Sequence, residues 1–188
     1  AIQAAVQSNG RILAIRARLF ADLGAFQIHG SLLSPDIAAK RITGPYDIQN
    51  MDMEMLGVMT NKPPVGPYRG AGQPECSIMM EQIVDQVAIE LSLDPVDVRR
   101  ANLIQPEQMP YTTVGGIVID DGNYPRAFTR SVETARYAEW RREQIRRRTA
   151  DDGKLIGIGM ATTASGSGGS GGDSARSSYC RVTVDDSG

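Results

Sequence analysis

The chain reads as an α+β protein with mixed sheets and packed helices, and two periodicities predict this. Met51, Met53 and Met55 alternate with Asp52 and Glu54, the period of a half-buried strand. From Ile78 through Met79, Met80, Ile83, Val84, Val87 and Ala88 to Leu91 the apolar residues recur every three or four positions, which makes a helix with one apolar face.

The elements follow in order. AIQAAVQS and RILAIRARLFADLG flank Asn9-Gly10, the dipeptide that supplies the two left-handed positions of a type I′ hairpin turn. Residues 22–46 read as irregular and end in the turn signal Gly44-Pro45. A strand starts near Ile48, with the methionine stripe as core filling rather than a soft-metal site. After the long helix, Asp94-Pro95 supplies an N-cap and first helical residue for a short second helix, VDVRRAN. Pro106 and Pro110 close this block, so the chain divides into 1–108 and 109–188. PYTTVGGIVIDDGNYP is turn-rich, with a short apolar run from Ile117 to Ile119. Residues 126–149 read as one helix with Phe128, Val132 and Ala135 inward. Arg141, Arg142, Arg146, Arg147 and Arg148 collect at its far end, as a solvated cap on the negative end of the helix dipole. KLIGIGMATT and YCRVTV read as strands, and SGSGGSGGDS between them reads as a flexible loop, or as a ligand cradle if its amides converge.

Composition narrows the function classes. With 188 residues, 41% of them apolar, the chain can bury a core. Twenty basic against 22 acidic residues, a net charge of -2, give no broad attraction to nucleic acid or anionic lipid. No apolar run approaches the length of a membrane span, so a cytoplasmic location is expected. Cys76 and Cys180 are far apart and read as buried free thiols of a reducing compartment. His29, the only histidine, stands in a turn-prone segment and leaves neither a His-rich metal site nor a Ser-His-Asp triad. No Walker-type loop and no C-x-x-C pair is present. The first residue is not Met and the last residues look extended, so both ends are expected to be cuts through a longer polypeptide.

One stretch remains, PPVGPYRGAGQPE at 63–75. A proline-stiffened loop leads from a strand into Arg69-Gly70-Ala71-Gly72 and then a helix, an arrangement that aims backbone N–H groups and a guanidinium at one point. Two readings fit: an anion cradle, or a tight strand-to-helix turn whose arginine pairs with a neighbour.

The string itself is familiar. TNKPPVGPYRGAGQPE, then a helix carrying Glu81 and Asp85, then LSLDPVDVRRANLI, resembles the molybdopterin-binding large subunit of the molybdenum hydroxylases, the xanthine dehydrogenase and aldehyde oxidase family. The motif is close to that of the form II type of carbon monoxide dehydrogenase large chain. NGRILA at 9–14, DLGAF at 22–26, GPYDI at 44–48 and PYTT at 110–113 extend the likeness over nearly the whole chain.

The resemblance implies that the chain is a section of the molybdopterin-binding region of a larger subunit. It implies that Arg69 contacts the molybdenum cofactor, with Gly70, Ala71 and Gly72 as its loop. The implied chemistry is hydroxylation of an aldehyde or aromatic heterocycle with oxygen from water. The cofactor is expected in its cytosine dinucleotide form, with FAD and [2Fe-2S] clusters on partner subunits or domains. The implied partners are the rest of the large subunit, the FAD-binding and iron–sulfur subunits and a small-molecule substrate. The family's catalytic glutamate lies near the subunit's C-terminus, so no catalytic residue and no metal ligand is assigned here. Three positions depart from subfamily patterns. Gly70 stands where copper-dependent carbon monoxide dehydrogenases carry cysteine, Ala71 where purine oxidisers carry phenylalanine, and Ile37 where they carry arginine. An autonomous anion- or nucleotide-binding domain, or a structural section without its own activity, are the alternatives.

Overall fold

A computed structural model describes residues 1–150 and 153–164. Strands β1 (Ile2–Val6), β2 (Ile12–Asp22) and β3 (Asn50–Val58) form one sheet in that order. The first pair is antiparallel and the second parallel, so the chain must cross over between β2 and β3. Helix α1 (Leu33–Lys40) occupies that crossover, within the stretch whose composition reads as irregular. It is only eight residues long, too short for an apolar period to repeat, and only Ala38 and Ala39 are buried; the helix is fixed by packing against α2 and β3.

The β1–β2 turn differs from the expected type I′. Among the residues of this turn only Gly10 has positive φ, +85°, and its N–H donates to the Gln7 carbonyl at 2.9 Å. This is a turn closed by one left-handed glycine. The register then shifts between Ala5 and Val6, which pair with Ala14 and Ile12. The skipped Leu13 is a bulge, and it lets both Ile12 and Ile15 face the core although they are an odd number of residues apart. In β3 the methionines do face inward, while Asp52 and Glu54 meet Arg16 and Arg18 across the parallel register at 2.7 and 2.6 Å on the exposed face.

Helices α2 (Gln73–Glu90) and α3 (Pro95–Asn102) pack together, and α2 packs on β1. Val84, Met80 and Ala88 of α2 join Ile12, Ile15, Tyr46, Ile48 and Val98 in the core. Ile78, placed by its spacing on the apolar face, is exposed, and Glu81, placed among the polar positions, is buried. The reason is a buried ion cluster. Arg99 of α3 is fully buried and donates from Nε and Nη2 to Glu81 Oε2 at 2.9 and 2.7 Å, and from Nη1 to Asp85 at 2.8 Å. Tyr46 donates its hydroxyl to the other Glu81 oxygen at 2.5 Å. The remaining guanidinium donors reach the carbonyls of Pro95 and Met160.

Helix α2 stops where Ser92 turns left-handed, with Leu93 N–H returning to the Ala88 carbonyl and Ser92 N–H to Ile89, a Schellman closure with serine in the usual glycine position. Asp94 then caps α3 by accepting from Val96 N–H at 2.8 Å.

Beyond α3, a 3₁₀ turn at Pro106–Gln108 precedes the two-residue pair β4 (Tyr111–Thr112) and β5 (Val118–Ile119). The expected single helix over 126–149 is two, α4 (Tyr124–Thr134) and α5 (Tyr137–Thr149), broken at Arg136 with φ +54°. The break turns α5 so that the Tyr137 hydroxyl reaches the Asp94 cap at 2.8 Å. Residues 154–164 are extended, with burial alternating along them, yet they form no strand ladder among the described residues. Side chains hold them instead: Gln144 Nε2 donates to the Ile156 carbonyl at 2.9 Å, Arg99 to Met160, and Ser77 Oγ lies 3.1 Å from Thr163 Oγ1. The expected YCRVTV strand, the glycine-rich tract and Cys180 lie outside the described residues.

Removing the guanidinium would leave the buried Glu81 carboxylate without its cation. Arg99→Ala is expected to lower stability by about 3–5 kcal/mol, whereas Arg100→Ala, at an exposed ion pair with Asp97, is expected to stay within about 0.5 kcal/mol. Urea denaturation of both variants checks the difference.

Candidate cofactor site

The site begins with the seating of one loop on another. Residues 59–72 lie against residues 23–32 through backbone bonds from Ala25 N–H to the Lys62 carbonyl and from Thr60 N–H to the Gly24 carbonyl, at 2.9 and 3.0 Å. The Ser31 hydroxyl donates to the Val65 carbonyl at 2.8 Å. Asp22, the last residue of β2, accepts from Thr60 Oγ1 at 2.6 Å, from Gly24 N–H at 3.0 Å and from Lys62 at 2.9 Å. Hydrogen bonds from Thr60 and Lys62 are the main cause that holds its carboxyl at about 2. Gly24 is required here, because a Cβ on it would stand 2.4 Å from the Pro63 carbonyl oxygen.

The loop then makes a tight double turn into α2. Ala71 N–H donates to the Tyr68 carbonyl at 2.7 Å and Gln73 N–H to the Gly70 carbonyl at 3.0 Å. Gly70, Ala71 and Gly72 all have positive φ, at +98°, +42° and +93°. Ala71 carries this conformation with a Cβ, a strain that L-residues rarely hold. Gly72 is buried against α1, where an added Cβ would come within 2.1 Å of the Ser34 carbonyl oxygen. The left-handed run spends the Ala71 and Gln73 N–H groups inside the turn, and no acceptor among the described residues takes those of Gly70 and Gly72.

Of the two readings of Arg69, the pairing with a neighbour is not what the structure holds. Arg69 is exposed and makes no hydrogen bond or ion pair with the described residues. Tyr68 beside it is 88% exposed. Gln73, the first residue of α2, has a buried Oε1 without a partner. The exposed Arg69, the half-buried Gly70 and the buried Gly72 thus carry donors that no described residue accepts, a set suited to an acceptor-rich ligand such as an oxo group, a pterin edge or a phosphate. Cys76 is buried and free, and burial pushes its thiol up. Its Sγ contacts the Gln73 carbonyl at 3.1 Å, so it is packing rather than a reactive group. His29 is exposed in a turn. Among the described residues no group of His, Cys, Asp and Glu side chains could hold a metal.

The model of the molybdopterin cofactor-binding domain matches residues 1–103. The chain belongs to that family. It is 34% identical over 164 residues to the 6-hydroxypseudooxynicotine dehydrogenase complex subunit gamma of Paenarthrobacter nicotinovorans, covering 85% of this chain and 20% of that protein. It is 35% identical over 162 residues to the carbon monoxide dehydrogenase large chain of Hydrogenophaga pseudoflava, covering 84% and 20%. Among solved structures, quinoline 2-oxidoreductase from Pseudomonas putida 86 superposes with a TM-score of 0.72 at 30% identity, over 78% of this chain and 19% of that one. Carbon monoxide dehydrogenase from Oligotropha carboxidovorans gives a TM-score of 0.73 at 34% identity, over the same shares. The α+β class and the molybdenum hydroxylase affinity expected from the sequence both stand, and the chain spans about a fifth of the length of these relatives.

What sequence reasoning missed lies behind the site. Glu81 and Asp85 were visible as a one-turn pair of carboxylates, and Arg99 as one of two adjacent arginines, but their union is tertiary. The second missed cluster is Asp47, which takes Arg11, Gln49 and the Tyr111 hydroxyl, the last at 2.9 Å. Burial works against its charge, and the hydrogen bonds led by Arg11 still hold its carboxyl below the ordinary value.

Two outcomes follow from the loop geometry. Gly72→Ala is expected to cost at least about 1–3 kcal/mol, from the left-handed strain and the clash with Ser34, while Gly157→Ala, with open space around it, is expected to change little; thermal denaturation compares them. The depressed Asp22 carboxyl stabilises the folded loop above its unfolded value of 3.8, and this contribution is lost as pH falls towards about 2. Amide exchange at Ala25 and Thr60 is therefore expected to accelerate across that window, and to be fast and pH-flat there, after correction for intrinsic exchange, in Asp22→Asn.

Proposed function

We propose that this chain is the part of a molybdenum hydroxylase large subunit that contributes the Arg69–Gly72 wall of the cofactor site, in an enzyme that hydroxylates an aldehyde or an aromatic heterocycle. The observation that carries the reading is the unpaired Arg69 beside the left-handed Gly70-Ala71-Gly72 run, whose Gly70 and Gly72 N–H groups have no acceptor. The family match and the relatives named above support it. When bound, the molybdenum cofactor supplies a two-electron oxidation that places oxygen from water on carbon. The residues of this chain bind and orient. Arg69 holds negative charge on an acceptor atom with a permanently protonated fork of donors. The two free amides fix a second acceptor, and burial of Gly72 on α1 keeps that geometry from relaxing.

The same proposal includes the finer points. The pterin is the cytosine dinucleotide form, FAD and [2Fe-2S] centres reside on partner subunits or domains, and the catalytic base comes from outside this chain. The division into 1–108 and 109–188 is retained, supported by a family match that ends at residue 103. A cytoplasmic location is likewise proposed; among the described residues no helix is long and apolar enough to cross a membrane. Gly70 and Ala71 disfavour a copper–thiolate centre and purine stacking, and two of the proteins described above are named for the N-heteroaromatic compounds 6-hydroxypseudooxynicotine and quinoline. An N-heteroaromatic ring is therefore the favoured substrate over an aliphatic aldehyde, carbon monoxide or xanthine.

The test uses the full-length large subunit in its complex. Arg69→Ala is expected to reduce kcat/KM about a hundredfold or more or to release molybdenum, read by metal analysis, while Arg69→Lys retains part of the activity. Wild-type molybdenum content and turnover in Arg69→Ala would remove Arg69 from the site, and absence of molybdenum from the wild-type complex would remove the reading itself.

A further inference from the structure

Helices α4 and α5 carry a charge that the rest of the chain does not share. Between residues 124 and 149 there are eight arginines and three glutamates, in a chain whose net charge is -2. Asp151 and Asp152, which follow at once in the sequence, offset only part of that excess. A dipole cap accounts for Arg146, Arg147 and Arg148 in the last turn of α5. It does not account for Arg126, which stands in the first turn of α4, where the dipole disfavours a cation. Internal pairing does not account for the excess either. Glu139 takes Arg136, and Glu143 takes both Arg146 and Arg147. Arg126, Arg130, Arg142 and Arg148 are exposed and have no ion-pair partner among the described residues.

Apolar side chains accompany these arginines. On α5, Arg142, Ile145 and Arg148 are three residues apart on successive turns, and Ile145 is 58% exposed, so one apolar side chain stands between two guanidinium groups that make no contact ion pair, Arg142 acting only at longer range on Glu139. Trp140, 51% exposed on the same helix, lines a cavity of about 470 Å³ with Phe128, Val132, Tyr137 and Met160. Ile145 and Trp140 thus add exposed apolar area directly beside the unmatched positive charge. Arginine beside a large apolar side chain is instead the composition of the energetic centre of protein interfaces.

We propose that the outer face of α5, centred on Arg142, Ile145 and Arg148, docks an acidic surface of another subunit of the complex. A protein partner suits this face better than a polyanion, because Glu139 and Glu143 interrupt the positive charge and Ile145 offers apolar area that a phosphate backbone would leave unused. The inference rests on the reading that the chain is part of a multi-subunit oxidoreductase, and its test is read separately from the cofactor site.

Arg142→Glu and Arg148→Glu are introduced together into the full-length large subunit, and subunit dissociation is followed by native mass spectrometry and sedimentation from about 50 to about 500 mM salt. The dissociation constant is expected to rise about tenfold or more at low salt, with a shallower salt dependence, and the double lysine variant is expected to assemble almost as the wild type. Molybdenum content and turnover of the large subunit with an artificial electron acceptor are expected to remain unchanged, which separates this inference from the assignment of Arg69. If circular dichroism finds the glutamate variant unfolded, Arg142→Ala with Arg148→Ala carries the same comparison. Assembly with unchanged dissociation constant and salt dependence overturns the proposal. So does a dependence on these arginines found only in binding to duplex DNA or phosphatidylserine vesicles, or only in self-association of the large subunit.

Discussion

The rest of the structure depends on one buried arginine. Arg99 of α3 bonds to Glu81 and Asp85 of α2, to the Pro95 carbonyl at the start of its own helix and to the Met160 carbonyl of the extended segment, and the Tyr46 segment joins through the hydroxyl that Tyr46 donates to Glu81. A guanidinium without solvent is tolerated only when its donors are used and its charge is matched, and Glu81 and Asp85 supply the match. Burial alone would discharge such a group; the Glu81 carboxylate instead pushes Arg99 up. Burial and the Glu81 charge raise the Tyr46 hydroxyl too, so it stays protonated and remains a donor. An apolar core of equal volume would hold the helices as well, but it would not fix where the extended segment passes, because a carbonyl such as that of Met160 seeks a donor at one place.

From this clasp the path to the candidate site is short. Glu81 and Asp85 belong to the helix whose first residues receive the Arg69 turn, and the core residues between them, Cys76 and Met80, set the pitch of α2 against the sheet. Its N-terminal end is held by different means, the contact of Gly72 with the backbone of α1. The middle of α2 is thus located by an ion cluster and its N-terminal end by the absence of a Cβ. Between these two anchors the positions of Gly70 and Gly72 N–H are inherited rather than independently built. This is how a site on a loop acquires the rigidity that orientation of a cofactor requires.

The two loops that carry the turn show a second division of labour. Backbone bonds and Asp22 seat residues 59–72 on residues 23–32, while Tyr68, Phe26 and Met59 remain exposed around them. Polar groups therefore hold the loops to each other, and apolar side chains are left facing outward, in a chain that spans about a fifth of its relatives.

Much of this was legible in the sequence, because local periodicity and turn chemistry act within a few residues. The methionine stripe of β3, the apolar period of α2 apart from Ile78 and Glu81, the Asp94-Pro95 cap and the left-handed glycines around Arg69 each carry their own physical cause and stand where the local pattern places them. The order of the motifs also specified the family. Only the tertiary structure decided the rest. Helix α1 is only eight residues long, too short for an apolar period to repeat, and it is fixed by packing of the crossover on α2 and β3. The break at Arg136 serves a hydroxyl that must reach Asp94, more than forty positions earlier. The bulge at Leu13 inverts which residues of β2 face the core. Glu81 and Arg99 look like ordinary surface charges until two helices place them face to face, since the cost of burying a charge and the partner that offsets it are both properties of the assembled fold.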